Sequence, residues 1–449
     1  MMRIYKSIGA VLVGGLLSFP LHAQEEQTEF DLAAAEEYGV NNNLKVKNAL
    51  LEYESARKKV WETTAIGLPQ INLEGQFQHL LDIPTSVVDA SLFNPLAPPG
   101  QVMEFQMGQE FTTSATLNVS QLIFDGSYIV ALKFSKFYQS MATTSIELTK
   151  QETKTMVREA FYNVLVAEEN VRLMDSVVVS TEKMWKQTKA YEEAGLIEKE
   201  EVQQLELAYN RIKASRQNAA RQVEVAKNLL KLSMGYDMDK DIQLNATLED
   251  VVAEIVQNNP AIADNNVKDN PNYVMLDQQV QLDEYSIKNE KAAFYPSLGA
   301  FFTHSQNAFR NEFDFFEDKP WYPTTVWGVS LKIPVTSSGM KIAKVQQAEI
   351  KMEKDQNSLE DLEKTLKFQE FQLKSSFQNA MELMEIEKSN VELATTIYNN
   401  QLKRKTTGVA GALQVTQLQN QLLTAEGNYI AAVMQLLSVK VELDKLFNK

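Results

Sequence analysis

Four short stretches of the chain alternate apolar with polar side chains, while most of the rest repeats its apolar positions every three to four residues. In "INLEGQFQHLLD", Ile71, Leu73, Phe77 and Leu81 fall on one side and Asn72, Glu74, Gln76, Gln78 and Asp82 on the other. That alternation predicts a strand with one oily and one wet face. Phe111, Thr113, Ala115, Leu117 and Val119 alternate in the same way with Thr112, Ser114, Thr116, Asn118 and Ser120. Leu298, Ala300 and Phe302 alternate with Ser297, Gly299 and Thr303, and Phe301 breaks the rule. Trp327, Val329, Leu331 and Ile333 alternate with Gly328, Ser330 and Lys332. The predicted strands run over about 70–82, 111–123, 297–305 and 325–333.

The helical stretches are long. From Val157 the apolar stripe passes through Phe161, Val164, Ala167, Val171, Met174, Val178 and Thr181 to Trp185, in steps of three and four. Phe377, Met381, Met384, Val391, Tyr398 and Leu402 form a looser copy. Spacing near 3.5 marks a coiled-coil seam. A helix of some 64 residues reaches roughly 96 Å, at about 1.5 Å per residue. Helices alone also fit an inert antiparallel rod, and strands alone also fit a soluble sheet.

The chain is internally duplicated. "NNLKVKNALLEYESARKKVWETTAIGLPQINLEG" is echoed by "DNPNYVMLDQQVQLDEYSIKNEKAAFYPSLGA", with 270 − 43 = 296 − 69 = 227. Gly126 and Gly195 recur as Gly339 and Gly408, with 339 − 126 = 408 − 195 = 213. Spacing held over such distances identifies a repeat. Each copy reads as an entry helix (about 30–66 and 271–293), two strands, a very long helix and a returning helix. The organisation is 1–23 signal peptide, 24–234 first repeat, 235–270 linker and 271–449 second repeat.

The N-terminus supplies an address. Arg3 and Lys6 precede the apolar run Ile8–Leu21, and Leu21-His22-Ala23 fits a cleavage site. Formal charge is −15 over 449 residues, and pI is near 4.9, which argues against a nucleic-acid partner. There is no cysteine, hence no disulfide and no lipid-bearing cysteine. After the signal no apolar run of about 20 residues occurs, so strands must make any membrane crossing.

Strands of about 9–11 residues with apolar-out, polar-in alternation suit a membrane barrel. Phe93, Phe105, Phe111, Trp321, Tyr322 and Trp327 suit an interfacial girdle. Four strands cannot close, and open edges are not tolerated in lipid. Eight strands give a filled barrel, and twelve leave a lumen. A homotrimer is the smallest assembly that closes and conducts, with Asn118, Ser120, Ser330 and Lys332 facing the lumen.

These features resemble the outer-membrane efflux protein family, the TolC-like channel-tunnels. The resemblance rests on Leu68-Pro69 and Tyr295-Pro296 before a strand, on "VSQLIFDG" and "VSLKIPVTSSG" at the strand-to-helix junctions, and on the tips "YEEAGLIEKEEVQQLELA" and "KRKTTGVAGALQVTQLQN". It implies a mainly helical chain with strands, forming as a trimer a 12-stranded transmembrane barrel above a coiled-coil α-barrel. It implies an outer-membrane exit duct with a long periplasmic extension. The implied partners are outer-membrane lipid, a periplasmic adaptor and an inner-membrane pump of RND or ABC type. Efflux of small molecules is the first reading, and the duct of a type I secretion system is the rival with the same architecture. A periplasmic coiled-coil adaptor or a structural rod is the reading of another class.

The tips carry the candidate aperture and adaptor contacts: Gly195, Glu198, Glu200, Glu201 and Val202 in the first, Gly408, Gln414, Val415 and Gln417 in the second. The family pattern has an acid six residues after the glycine. The first tip keeps it as Glu201, and the second has Gln414. Three copies of Glu201, helped by Glu198 and Glu200, would ring the mouth with negative charge, though a solvated helix face has the same composition. Catalytic signatures are lacking: His79 and His304 stand apart in strands, and no phosphate-binding glycine loop occurs. No enzyme activity, cofactor or metal is expected.

Overall fold

A computed structural model describes residues 28–92, 96, 98, 100–257, 266–406 and 411–447. The signal segment 1–23, Phe93 and Gly408 lie outside the described residues. The elements are β1 (Glu29–Phe30), α1 (Leu32–Asn42), α2 (Leu44–Ile66), β2 (Gln70–His79), β3 (Thr85–Asp89), β4 (Val102–Gln106) and β5 (Phe111–Phe124). They continue as α3 (Gly126–Glu193), α4 (Lys199–Met234), β6 (Gln243–Leu244), α5 (Leu248–Gln257), α6 (Pro271–Ala292), β7 (Ser297–Arg310), β8 (Tyr322–Lys332), α7 (Met340–Thr406) and α8 (Ala412–Leu446).

The duplication is written in backbone bonds. The first entry helix is broken at Asn43, which the sequence pattern reads as continuous. Asn43 is buried and extended, with φ −61° and ψ 134°. Its Oδ1 accepts from the Lys45 N–H at 2.8 Å, and its Nδ2 donates to the Ser233 carbonyl at 2.6 Å. Asn270 repeats every part. It is buried, with φ −61° and ψ 129°, caps α6 through the Asn272 N–H at 2.9 Å, and donates to the Leu446 carbonyl at 3.0 Å. The two acceptors, 446 − 233 = 213 residues apart, end the two returning helices. One amide side chain thus satisfies a helix start and a helix end together.

Helix α3 has 68 residues and α7 has 67, each close to 100 Å long at about 1.5 Å per residue. Asp125 caps α3 by accepting from the Tyr128 N–H at 2.9 Å. The stripe predicted along α3 is the packed one: Val157, Phe161, Val164 and Thr181 are buried, as are Phe377, Met384 and Tyr398 on α7. Gly235 ends α4 with φ +69°, and a Cβ there would lie 3.0 Å from the Asn42 carbonyl oxygen. A side chain is therefore excluded both by conformation and by space.

The main apolar core is a belt partway along the long helices. Strand β1 pairs in parallel with β6. Phe30, Tyr38 and Tyr236 meet edge-to-face, with ring centroids 5.4–5.7 Å apart. Leu248, Val251 and Ile255 of α5 join Val157 and Phe161 of α3 and Leu436 and Leu437 of α8 in one apolar cluster. Beside this core Arg158 of α3 donates to Glu36 of α1 at 2.7 Å and to Asp444 of α8, which Lys440 also reaches. Burial works against the charge on Arg158. The bond to Glu36 and the two carboxylates outweigh it, holding the guanidinium above its ordinary pKa.

The four predicted strands form one antiparallel sheet in the order β2-β5-β7-β8. Strand β7 runs five residues past its predicted end, to Arg310, because pairing with Phe111–Ser114 continues through a stretch whose alternation is polar. Strand β2 stops at His79, short of Leu81 and Asp82. The loop between β2 and β5 carries its own hairpin, β3 against β4, which the pattern did not predict.

Candidate functional site

The register puts every alternating set on the same side. Leu117 stands opposite Leu73 and His304, Val119 opposite Ile71 and Phe302, and Phe302 opposite Trp327. Through the other face, Asn118 stands opposite Asn72 and Thr303, Ser120 opposite Gln70 and Phe301, Ser330 opposite Gly299, and Lys332 opposite Ser297. Asn118 Oδ1 accepts from Thr303 Oγ1 at 2.9 Å, and Thr116 and Ser305 hydroxyls meet at 3.0 Å. The wet face is a ladder of hydroxyls and amides.

Except at the far end, neither face is covered by the described residues of one chain. Ile71 is 67% exposed, Leu73 77%, Trp327 77% and Val329 58%. A sheet half-buried in its own protein would hide that face, so the soluble-sheet reading does not fit. At the far end the segment after β7 folds onto the apolar face. Phe313 and Phe315 pack on Phe77 with ring centroids 5.8 Å apart, and His79 stacks on Phe111 at 4.2 Å. Arg310 of the same face donates to the Pro320 carbonyl at 3.0 Å. The aromatic cluster at this level therefore includes Phe77, Phe111, Phe313 and Phe315, of which the expected girdle contained Phe111. The outer strands β2 and β8 each pair on one side within the described chain.

At the opposite end of the molecule the helices turn. Gly195 has φ +72°, its N–H donates to the Glu192 carbonyl at 2.8 Å, and a Cβ would meet nothing within 4 Å. Its need is purely conformational. Glu198 stands at the N-cap of α4 without a side-chain capping bond, and Glu200 and Glu201 occupy the first turn, where the helix dipole favours acids. Glu198, Glu200 and Gln417 are exposed, and Glu201 is half-buried. Gln414 accepts from Gln401 Nε2 at 2.9 Å. Val202 and Val415 are buried within the chain. Val415 packs with Met184, Leu205 and Tyr398, so it joins the two hairpins.

The two hairpins are tied by polar contacts close above the tips. Ser180 and Tyr398 hydroxyls lie 2.8 Å apart, Gln419 donates to Thr181 at 2.9 Å, and Lys405 donates to Thr188 at 3.3 Å. Burial pushes the Lys405 ammonium below its ordinary pKa, and the nearby charge of Glu201 opposes that shift only in part. Sequence reasoning missed Lys405, although "KRK" beside an acidic partner tip is a visible signal. Among the described residues no cluster of three or more His, Asp or Glu side chains could hold a metal.

The comparisons agree with this geometry. Residues 265–449 match the family model described as outer membrane efflux protein. No curated protein matches the chain by sequence. Among solved structures, the outer membrane protein VceC of Vibrio cholerae superposes with a TM-score of 0.67 at 14% identity, over 93% of this chain and 95% of VceC. The CmeC outer membrane channel of Campylobacter jejuni gives 0.66 at 14% identity, over 93% and 85%. The MtrE outer membrane channel of Neisseria gonorrhoeae, in its open state, gives 0.69 at 16% identity, over 93% and 88%. At such identities the likeness fixes the fold, which spans both repeats. Residues 265–449 thus match the outer membrane efflux protein family, and the chain as a whole shares the fold of these outer membrane channels.

Proposed function

We propose that three copies of this chain form a passive exit duct across the outer membrane and the periplasm. The observation that carries the reading is the uncovered two-faced sheet with single-sided pairing at β2 and β8. Pairing β8 of one copy with β2 of the next closes twelve strands, which satisfies every edge and leaves a watery interior. Lipid then meets Leu117, Trp327 and Val329, and solvent meets Asn118, Ser120, Ser330 and Lys332. The helices carry the same message. Val225, Leu229 and Leu232 on α4 and Ile386 and Leu393 on α7 are exposed apolar positions at coiled-coil spacing, which neighbouring copies would cover.

The conduit continues through the long helices to the tips. There Glu201, with Glu198 and Glu200, faces the periplasmic mouth in three copies, and the exposed tip residues meet an adaptor that links the duct to an inner-membrane pump. Energy for transport comes from that pump, and the cargo is small molecules. Purified protein in a planar bilayer should show discrete conductance, and a bundle without a pore would show none. Glu201→Gln should weaken block by multivalent cations added on the periplasmic side. Unchanged block would remove Glu201 from the mouth.

A further inference from the structure

Phe301 is the position that breaks the alternation of its strand, and the structure gives it a seat. It lies on the wet face, opposite Ser120 on β5 and Gly328 on β8. The far edge of its ring overlies Gly328. A Cβ at that glycine would stand 2.9 Å from Phe301 Cζ and 3.1 Å from Cε1, closer than a rigid ring tolerates. Gly299, two residues back on the same face, adds no side chain beside it. The ring is nevertheless 40% exposed, so covering the glycine leaves much of it facing out.

Its surroundings are polar and almost uncharged. Along the described wet face of the four strands, Glu74 and Lys332 are the charged positions, one of each sign. The remainder are mostly hydroxyls, amides and glycines. At the outer end of the same face Phe309 and Tyr322 form a second aromatic station, with centroids 6.2 Å apart. A wall of this kind does not sort solutes by charge. It offers flat apolar surface at two levels in a hydrogen-bonding surround.

We infer that Phe301, seated on Gly328, is a cargo-contact residue: a stacking site on the lumen wall for flat aromatic solutes. The inference rests on the duct reading, which turns the wet face inward and brings three such rings to one level. Stacked rings attract beyond the area they bury, and an exposed aromatic face accepts any π-system without sequence or shape matching.

The test uses the whole protein in a planar bilayer, with ethidium as aromatic probe and tetraethylammonium as aliphatic probe of equal charge. In the unaltered channel ethidium should dwell longer than tetraethylammonium. Phe301→Ser should shorten the ethidium dwell by about 2- to 12-fold and leave tetraethylammonium unchanged. Phe301→Tyr should retain the long dwell, and Gly328→Ala, which lifts the ring off the wall, should lower the open-channel conductance. Should Phe301→Ser fail to assemble, Phe301→Leu keeps cover over Gly328 without a ring face and should lose the long dwell as well. Normal ethidium dwell in a conducting Phe301→Ser or Phe301→Leu channel would overturn the inference and reduce the ring to a lid over glycine. A water-borne thiol reagent should reduce current through Ser330→Cys; if it does not, the duct reading itself falls and takes the inference with it.

Discussion

The two repeats share a skeleton and differ in chemistry where they meet. Asn43 and Asn270 make the same pair of bonds at offsets of 227 for the donor and 213 for the acceptor. Two other positions break the pairing. Arg158 binds Glu36 and Asp444, whereas its counterpart 213 residues on is the exposed Phe371. The counterpart of Asp444 is Lys231, which donates to the Met238 carbonyl at 3.2 Å. A few backbone-directed side chains are enough to keep a duplicated architecture. Charge is then free to diverge, and here it binds α1, α3 and α8 at the belt and sets an acidic tip beside a basic one.

The largest effect should come from the unshared network. Arg158→Met leaves Glu36 and Asp444 with buried charge, their side chains being 13% and 7% exposed. Removing one partner of a buried pair costs about 3–5 kcal/mol. Thermal unfolding should show that loss, and Glu36→Gln with Asp444→Asn in the same chain should recover part of it. An Arg158→Met protein as stable as the original would show the cluster to be ornamental. Tyr162, which burial next to this cluster pushes up to about 12, should stay neutral throughout the accessible pH range.

The shared bonds should show equal effects. Asn43→Ala and Asn270→Ala each remove a cap and strand a carbonyl, for about 2 kcal/mol apiece. Unfolding midpoints that fall by similar amounts uphold the equivalence of the junctions. A loss confined to one of them would mean that the duplicated bond is retained in form only.

The smallest effect is at Lys405. Its pKa in the folded chain lies below that of an unfolded lysine, so folding disfavours its charged form. The resulting penalty is complete below the folded pKa, fades as pH climbs past it, and is gone above the ordinary lysine value near 10.5. Packing between the tips should therefore tighten as pH rises through that window. Lys405→Met should abolish this dependence and raise the unfolding midpoint slightly, because a methionine keeps the volume without the charge. A midpoint that drops in Lys405→Met would show that Glu201, rather than burial, governs this lysine.

Much of this was legible in the chain itself because periodicity reports burial. The four strands and both long helices follow from which positions are apolar, and the repeat follows from the constant offsets of Asn43, Pro69, Gly126 and Gly195. What escaped has specific causes. Asn43 breaks a helix through a contact with Ser233, 190 residues away, which local pattern cannot encode. The outer half of β7 is paired rather than patterned, so His304 and Gln306 gave no signal on the apolar side. Strands β1 and β6 are two residues each, too short for any alternation. At the tips, Glu201 and Gly195 stand out by type, but the burial of Val415 depends on the neighbouring hairpin.

Which side of the sheet meets lipid decides whether three copies can enclose a channel. The chain has no cysteine, so each single-cysteine variant is uniquely addressable. In outer membranes, cysteines at positions 117 and 329 (Leu117→Cys, Val329→Cys) should react with a lipid-confined maleimide and resist a charged aqueous one. Asn118→Cys and Ser330→Cys should show the reverse. Four sites labelled alike, or with the pattern exchanged, would contradict a lipid-facing apolar side and an enclosed watery lumen.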